Sequence, residues 1–194
     1  MNFLAHAYLS GEDKNILLGN FIGDFIKGRQ ALNKFDPAVI RGVELHRAID
    51  AFTDVHPIVH ESKNRLRATY RHYAAVIVDV FYDHFLAANW KKYHSTTLEQ
   101  FAADTYRTLN AFSPILPVSF KRMLPYMIDG NWLVNYRKVS GVHGTLSGMA
   151  SRTPYESKME QASVDLRKHY NEFQSEFEKF FPELKDFAEG WLLR

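Results

Sequence analysis

Residues 36–57 read Asp-Pro-Ala-Val-Ile-Arg-Gly-Val-Glu-Leu-His-Arg-Ala-Ile-Asp-Ala-Phe-Thr-Asp-Val-His-Pro, and they contain both ends of a helix. Asp36 is a capping residue followed by proline at the first helical position. At the other end, the residue before Pro57 is pushed out of the α region. The stretch therefore predicts a helix from Pro37 to about Val55.

The rest of the chain also predicts helices. No stretch alternates apolar and polar residues over a useful length, and no Asn-Gly or Asp-Gly turn separates two such stretches. Apolar residues recur at helical spacing, most clearly over residues 155–181. Further helices are expected over residues 2–9, 13–27, 57–93, 97–112, 117–130, 140–151 and 155–181, with a short one after Pro182. The prediction is an all-α, irregular helical bundle that forms a single domain over residues 1–194.

Composition and charge exclude several classes of protein. With 46% hydrophobic and 24% charged residues among 194, the chain resembles an ordinary globular domain and not a disordered or fibrous protein. The sequence has no Cys, which excludes disulfides, thiolate nucleophiles and Cys-based zinc sites. A net charge of +2 is too small to indicate nucleic-acid binding. The N-terminus lacks the features of a signal peptide, and the purest apolar run, residues 74–78, is too short to span a membrane. We therefore expect a cytoplasmic protein without membrane or nucleic-acid partners.

Two polar side chains lie on the apolar face of the helix expected after Asp36. On a helical wheel, His46 and Asp50 share one narrow arc with Val39 and Val43. The arc begins apolar and ends in an imidazole and a carboxylate one turn apart. A buried carboxylate must be paired, hydrogen-bonded, protonated or bound to a metal. This pair is therefore a candidate for chemistry.

A second helix repeats the pattern with two carboxylates. Asp79 and Asp83 are four residues apart and share an arc with apolar residues such as Val76 and Leu86. Two carboxylates one turn apart repel each other, so a positive group is expected between them. A divalent cation meets this need best, and an Arg or Lys side chain is the alternative.

The N-terminal segments carry two more polar intrusions. His6 lies within the apolar residues 3–9, where a single histidine is usually a satisfied core residue. Asp24 interrupts an apolar stretch, and it could also cap a helix or pair with Arg29. Gly19 and Gly23 would let another backbone approach this helix closely.

Four expected helices thus carry His or Asp on an apolar face, and this coincidence predicts a divalent metal site. Nitrogen and oxygen donors without sulfur suit Mn²⁺, Mg²⁺, Fe²⁺ or Zn²⁺. Asp50 is either a further ligand or a carboxylate that orients His46 or a water molecule bound to the metal. The candidate ligands are His6, Asp24, His46, Asp79 and Asp83.

Other motifs have less weight. His56 and His60 have the spacing of zinc ligands, but Pro57 forces His56 off the helix. Ser147 lies in Gly-Thr-Leu-Ser-Gly, which is not the nucleophile elbow Gly-x-Ser-x-Gly. His84 points about 100° away from Asp83 on the wheel, which favours a role other than direct ligation. No Walker A or dinucleotide-binding motif is present in the sequence.

Taken together, these motifs resemble the bacterial acyl carrier protein phosphodiesterases, also called acyl carrier protein hydrolases. The resemblance covers essentially the whole chain in the right order. The matching pieces are Asn2-Phe3-Leu4-Ala5-His6, Gly19-Asn20 with Asp24-Phe25, His46-Arg47-Ala48-Ile49-Asp50 with Thr53-Asp54, Asp79-Val80-Phe81-Tyr82-Asp83-His84-Phe85-Leu86 with Trp90, Trp132-Leu133 with Tyr136-Arg137, and Gly148-Met149-Ala150-Ser151-Arg152.

The resemblance implies an activity and a cofactor. This family hydrolyses the phosphodiester that links 4′-phosphopantetheine to a serine of holo-acyl carrier protein, which leaves the apo form and belongs to fatty acid and lipid metabolism. It depends on Mn²⁺, with Mg²⁺ or another divalent cation as alternatives. It is thought to be a divergent relative of the HD-domain phosphohydrolases. The spacing between His46 and Asp50 departs from the adjacent His-Asp pair of true HD domains, so ligands are not transferred from those.

Roles for further residues follow from this activity. Arg47 and Arg152 are candidates for a phosphate clamp, because guanidinium groups fit phosphate oxygens; surface ion pairs are the alternative. His84 could protonate the leaving serine oxygen, beside Asp50 and Arg47 as catalytic residues. Acyl carrier proteins are acidic, so the basic stretch 63–71, with Arg67 and Arg71, is expected to dock the carrier protein unless it is only a solvated helix face.

Two other functions stay open. An HD-like phosphohydrolase acting on a nucleotide or another small phosphoester would use the same metal site. A non-enzymatic helical adaptor, in which the buried polar groups merely pair with one another, would need no metal.

Overall fold

A computed structural model describes residues 1–194 apart from the side chain of Arg29, and its regular structure is helical. No strand occurs in the described chain, so the predicted all-α class is confirmed. None of the helices described is both long and apolar enough to cross a membrane. The helices are α1 (Phe3–Tyr8), α2 (Lys14–Ile22), α3 (Pro37–Val55), α4 (Pro57–Tyr70), α5 (Ala74–Ala88), α6 (Leu98–Ala111), α7 (Val118–Asp129), α8 (Trp132–Asn135), α9 (Val139–Ala150), α10 (Ala162–Lys168) and α11 (Tyr170–Leu192).

Helix α3 begins and ends where its sequence predicts. The side chain of Asp36 accepts a hydrogen bond from the backbone N–H of Ala38 at 2.9 Å, as a helix cap does. The helix ends at Val55, and Pro57 occupies the first turn of α4. The expected boundaries of this helix are confirmed.

Two of the expected long helices are divided. The helix expected over residues 57–93 is interrupted at Arg71, whose φ of 52° lies in the left-handed region, and a 3-10 turn over Arg71–Tyr73 connects α4 to α5. The helix expected over 155–181 begins only at Ala162 and is divided at His169. Neither break follows a glycine or proline, so no local signal in the sequence marks it.

The break expected at Pro182 was wrong, because α11 continues through this residue. Proline removes one backbone hydrogen bond inside a helix. Fully buried side chains lie on both sides of it, including Phe177, Phe181 and Leu184. Burial of that face stabilises the helix by more than the lost hydrogen bond costs.

Helices α2 and α3 pack unusually closely, and this contact positions the candidate site. A Cβ atom on Gly19 would lie 2.0 Å from the carbonyl oxygen of Val39, and one on Gly42 would lie 2.3 Å from that of Ile16. Only glycine fits at these two points. The close approach expected at Gly19 is confirmed, and it brings Asn20 of α2 next to His46 of α3.

Candidate metal centre

Three residues from two helices bring their potential ligand atoms together. His6 lies on α1, and His46 and Asp50 lie one turn apart on α3. One ligand atom from each lies within 4.8 Å of the other two. The two imidazole rings are stacked with their centroids 4.0 Å apart. We call these three residues, which are a candidate site for a cation, the metal centre.

Asn20 fixes the orientation of the His6 ring. The amide nitrogen of Asn20 donates to the carbonyl oxygen of His6 at 2.8 Å and to the hydroxyl of Ser10 at 3.0 Å. Its Oδ1 atom therefore faces Nδ1 of His6, 2.8 Å away. Because an amide oxygen only accepts hydrogen bonds, Nδ1 of His6 carries the proton and Nε2 carries the lone pair.

The same residue orients His46 through its backbone. Nδ1 of His46 lies 2.8 Å from the carbonyl oxygen of Asn20, and this oxygen can only accept. The neutral form of His46 therefore also presents its lone pair on Nε2. Hydrogen bonding at one ring nitrogen that leaves the other for a cation is the usual arrangement of metal-binding histidines.

Asp50 lies between the two imidazoles. Its Oδ1 is 3.2 Å from Nε2 of His6, and its Oδ2 is 3.2 Å from Nε2 of His46. Nε2 of His6 is buried and makes no hydrogen bond with the described side chains. A buried polar atom in this state costs free energy unless a bound group satisfies it. A cation held by the three residues would do so.

Asp24 joins the metal centre from the solvent side. It lies in the 3-10 turn Gly23–Phe25 that follows α2, and its Oδ1 is 3.3 Å from Nε2 of His46. Its side chain is 75% exposed, so the centre is open to water on this side. A Cβ on Gly23 would lie 2.3 Å from the His46 ring, which explains why glycine precedes Asp24. The alternative partner Arg29 lies outside the described side chains.

The electrostatics of the centre attract positive charge. Burial disfavours the charged form of His46, but Asp24 and Asp50 outweigh this and raise its pKa to about 9. Burial lowers the pKa of His6, although Asp50 opposes the change. Burial likewise opposes ionisation of Asp50, yet the two histidines hold its pKa well below the usual range. The hydrogen bond from His46 lowers the pKa of Asp24. At neutral pH both carboxylates are therefore ionised.

The two carboxylates of α5 lie apart from the metal centre. Asp79 pairs with the amino group of Met1 at 3.0 Å, and that group is 3.6 Å from Asp50.

Asp83 is fully buried, and its oxygens accept hydrogen bonds from three backbone N–H groups. The donors are Leu4 at 2.7 Å, Asn2 at 3.2 Å and Ala5 at 3.3 Å. Asp83 thus caps α1, which carries His6. Burial raises its pKa to about 7, against the effect of the backbone N–H groups.

Both ring nitrogens of His84 are engaged elsewhere. Nδ1 lies 2.7 Å from the carbonyl oxygen of Tyr136, and Nε2 lies 3.0 Å from the hydroxyl of Tyr170. The ring is buried, and burial lowers its pKa. His84 packs between α5 and α11, and its contacts do not include the three residues of the metal centre.

The arginines selected from the sequence lie at different places. Arg152 lines a cavity of about 670 Å³ that also contacts Phe25, the neighbour of Asp24. Arg47, Arg67 and Arg71 are exposed. Arg71 lines a cavity with His72 and Tyr73, and these two residues also line the cavity that contains Asp50 and Asp79.

The role of Asn20 did not follow from the sequence. It is a single polar residue within the apolar stretch Leu17–Ile22, one turn before Asp24. That position was a usable signal, because a fully buried amide needs partners on several sides. The identity of those partners depends on how α1, α2 and α3 meet.

The fold and the site together define an all-α protein that holds two buried histidines and a carboxylate with the donor set of a divalent metal centre. A model of the family described as acyl carrier protein phosphodiesterase matches residues 1–184. The chain belongs to this family, as its motifs implied.

Individual relatives agree with the family match. A protein from Photorhabdus laumondii is 32% identical over 191 residues, which are 98% of this chain and 96% of the relative. One from Yersinia enterocolitica is 31% identical over 97% of this chain and 98% of its own length. One from Escherichia coli is 33% identical over 95% of each chain. All three are named acyl carrier protein phosphodiesterase. No solved structure matches the chain.

Proposed function

We propose that this protein is a metal-dependent phosphodiesterase that removes 4′-phosphopantetheine from holo-acyl carrier protein and leaves the apo form. Membership of the family and the names of the relatives support the substrate. The observation that carries the metal-dependent chemistry is the pair of buried histidines, whose Nε2 atoms both lie 3.2 Å from Asp50. The activity would belong to lipid metabolism in the cytoplasm.

The donor set supports a divalent cation, and we propose Mn²⁺. His6, His46 and Asp50 would hold it, with Asp24 as a further ligand from the solvent side. Two imidazoles and two carboxylates without sulfur suit Mn²⁺, and Mg²⁺ or another divalent cation is the alternative. When bound, such a cation lowers the pKa of water and neutralises charge on phosphoryl oxygens. We place Asp79 at the edge of the centre, and Asp83 acts by capping the helix that carries His6.

The residues of the chain would then have the following roles. Asp50 contributes a carboxylate to the donor set and balances positive charge between the two histidines. Asp24 is ionised and exposed, so it can serve as the ligand on the solvent side, where water reaches the centre. Arg152 lines the same cavity as Phe25, and its guanidinium can contact phosphate oxygens there. Arg47 is exposed on α3, and its contribution to the clamp has no such geometric support.

We retain His84 as the candidate group that protonates the leaving serine oxygen, although its contacts give this role less support than the other roles have. Its Nε2 already contacts the hydroxyl of Tyr170, so a proton from His84 would have to pass through that hydroxyl. A His84→Ala variant that loses bound metal together with turnover would instead indicate a structural role.

Mass spectrometry tests the proposed function. Holo-acyl carrier protein is incubated with the protein and Mn²⁺, and the expected result is loss of the phosphopantetheine mass. Asp50→Asn should abolish this change, whereas Asp104→Asn, at an exposed aspartate that pairs only with Arg107 among the described groups, should preserve it. No mass change with the unaltered protein, or full activity of Asp50→Asn, would contradict the proposal. Hydrolysis of nucleotides but not of holo-carrier protein would favour the HD-like phosphohydrolase instead.

A further inference from the structure

A cavity of about 670 Å³ borders the segments that carry the metal centre, and its volume is in the range of small-molecule sites. Its walls come from α7, α8 and α9, and from the segments that carry the centre. Phe3 lies on α1, three residues before His6, and Phe25 follows Asp24 directly. The lining of the cavity thus includes near neighbours in sequence of His6 and Asp24. Its lining includes Phe3, Phe25, Met123, Trp132, Gly144 and Arg152.

The lining combines an apolar wall with two cations. Phenylalanine, methionine and tryptophan side chains form the wall, and the exposed side chains of Lys138 and Arg152 also contact the cavity. Neither cation forms an ion pair with any described residue. This lining fits a long, uncharged chain that carries an anionic group, because the chain can cover the apolar wall while the anion meets a cation.

Gly144 keeps part of the cavity open. Helix α9 carries three glycines along the cavity, at positions 141, 144 and 148. A Cβ on Gly141 would lie 1.9 Å from the carbonyl oxygen of Asn135, so helix packing explains that glycine. A Cβ on Gly144 would have no atom within 4 Å among those described. Glycine inside a helix costs about 1 kcal/mol relative to alanine. Packing does not require glycine at 144, and the missing side chain leaves this part of the cavity open.

We propose that this cavity binds the pantetheine arm of the substrate, with the phosphate end toward Asp24 and the amide-bearing chain along α9. This inference rests on the proposed function, since it assigns the binding site for the group that is removed. The arm is flexible, largely uncharged and joined to a phosphate, which matches the apolar wall and the two cations. Gly144 determines how much room the arm has.

Substitutions at Gly144 test the assignment. Gly144→Leu places a side chain in the cavity without meeting other atoms, so it should not lower the Tm and should raise the KM for holo-carrier protein roughly tenfold or more. Gly144→Ala should have a much smaller effect. Gly190→Leu is the matched control, because Gly190 of α11 also has open space around its Cβ position and does not line this cavity. A KM of Gly144→Leu within twofold of the control would overturn the assignment.

A binding measurement separates this inference from the proposed function. Free 4′-phosphopantetheine is added at millimolar concentration to the protein with Mg²⁺ present, because the ionised carboxylates of an empty centre would repel the phosphate, and binding is observed in the NMR spectrum of the ligand. We expect binding to the unaltered protein and to Gly190→Leu, and at least tenfold weaker binding to Gly144→Leu. Absence of binding to the unaltered protein, or equal binding to both leucine variants, would overturn the cavity assignment. If binding follows the expectation but holo-carrier protein is not cleaved, the proposed function fails and the binding site stands.

Discussion

At the scale of the residue, the metal centre depends on an asparagine as much as on its candidate ligands. Periodicity placed His46 and Asp50 on one face of a helix, and the structure brings His6 to the same point. Asn20 then determines which nitrogen of each imidazole carries the lone pair. Its side chain bonds His6 and its backbone carbonyl bonds His46, each at 2.8 Å. No periodic pattern reveals such a partner, because the contact exists only after three segments have met.

Replacing Asn20 should weaken metal binding without removing a ligand. In Asn20→Ala, Nδ1 of His6 loses its acceptor, so the ring can rotate or change tautomer. We expect the Kd for Mn²⁺ to rise about 10- to 100-fold, as for other residues that orient metal ligands. Titration calorimetry measures this, with Asn110→Ala at an exposed site of α6 as the control. Equal affinity in the two variants would contradict the role of Asn20.

The metal-free protein should lose stability as the pH rises from about 6.5 to 9. In the folded state the pKa of His46 is raised from 6.5 to about 9, so folded protein binds a proton that unfolded protein has released in this range. The stabilising contribution is complete below pH 6.5 and is lost as pH rises through 9. A shift of this size corresponds to at most about 3 kcal/mol.

Urea unfolding in EDTA at several pH values checks this dependence. The difference in unfolding free energy between the unaltered protein and His46→Gln should shrink across that range. A difference that stays constant between pH 6 and pH 9 would show that the carboxylates do not hold a proton on His46.

At the scale of the element, helix ends were predictable where a cap or a proline marks them. Asp36 and Pro57 bound α3 as expected, and the side chain of Thr97 caps α6. The division at Arg71 and the continuation of α11 through Pro182 were not predictable, because tertiary packing outweighs local preference at both places. Asp83 is a similar case. Its helical spacing from apolar residues indicated that Asp83 is buried. Its carboxylate can cap α1 only because that helix lies beside it, and the position of α1 is set by tertiary packing.

The turn after α2 gives a prediction about an element. Gly23 has helical backbone angles, with φ −50° and ψ −44°, so alanine is compatible with its backbone. The added methyl group would nevertheless meet the His46 ring at 2.3 Å. Gly23→Ala should therefore displace the ring and weaken Mn²⁺ binding about 10- to 100-fold.

Gly190→Ala is the control for this substitution, because nothing lies near its Cβ position. The same calorimetric titration applies to both variants. Unchanged Mn²⁺ affinity in Gly23→Ala would mean that the turn does not position His46.

At the scale of the whole molecule, the expected docking surface is smaller than the basic stretch suggests. Lys63 pairs with Asp54, and Arg65 pairs with the largely buried Glu176. Arg67 and Arg71 are exposed and form no ion pair among the described groups. Arg71 lines a cavity that shares His72 and Tyr73 with the cavity that contains Asp50. We therefore expect these two arginines to contact the acidic carrier protein.

Reversing both charges tests the docking surface. Arg67→Glu with Arg71→Glu should raise the KM for holo-carrier protein at low salt by roughly threefold to tenfold, because exposed charge pairs contribute about 0.2–1 kcal/mol each. The effect should diminish at high salt. Lys14→Glu with Arg107→Glu makes the same change in net charge at an exposed site elsewhere and should leave the KM near that of the unaltered protein. Equal KM values for the two double variants would exclude this docking surface.

The sequence was sufficient for the all-α class, and the metal chemistry that it predicts for the site stays a prediction. Two imidazoles and acidic side chains on apolar helix faces indicate a divalent cation and a hydrolytic reaction. Nothing in their spacing distinguishes a carrier protein from a nucleotide. The substrate came from the family, through motifs such as residues 46–50 and 79–86.

The central claim is that His6, His46 and Asp50 hold a divalent cation. An anomalous difference map from a crystal grown with Mn²⁺, recorded near the manganese absorption edge, tests it most directly. The expected result is one strong peak in contact with Nε2 of both histidines and with the carboxylate of Asp50. A map from Mn²⁺-active protein with no peak at these three residues, or with its only strong peak elsewhere, would contradict the claim.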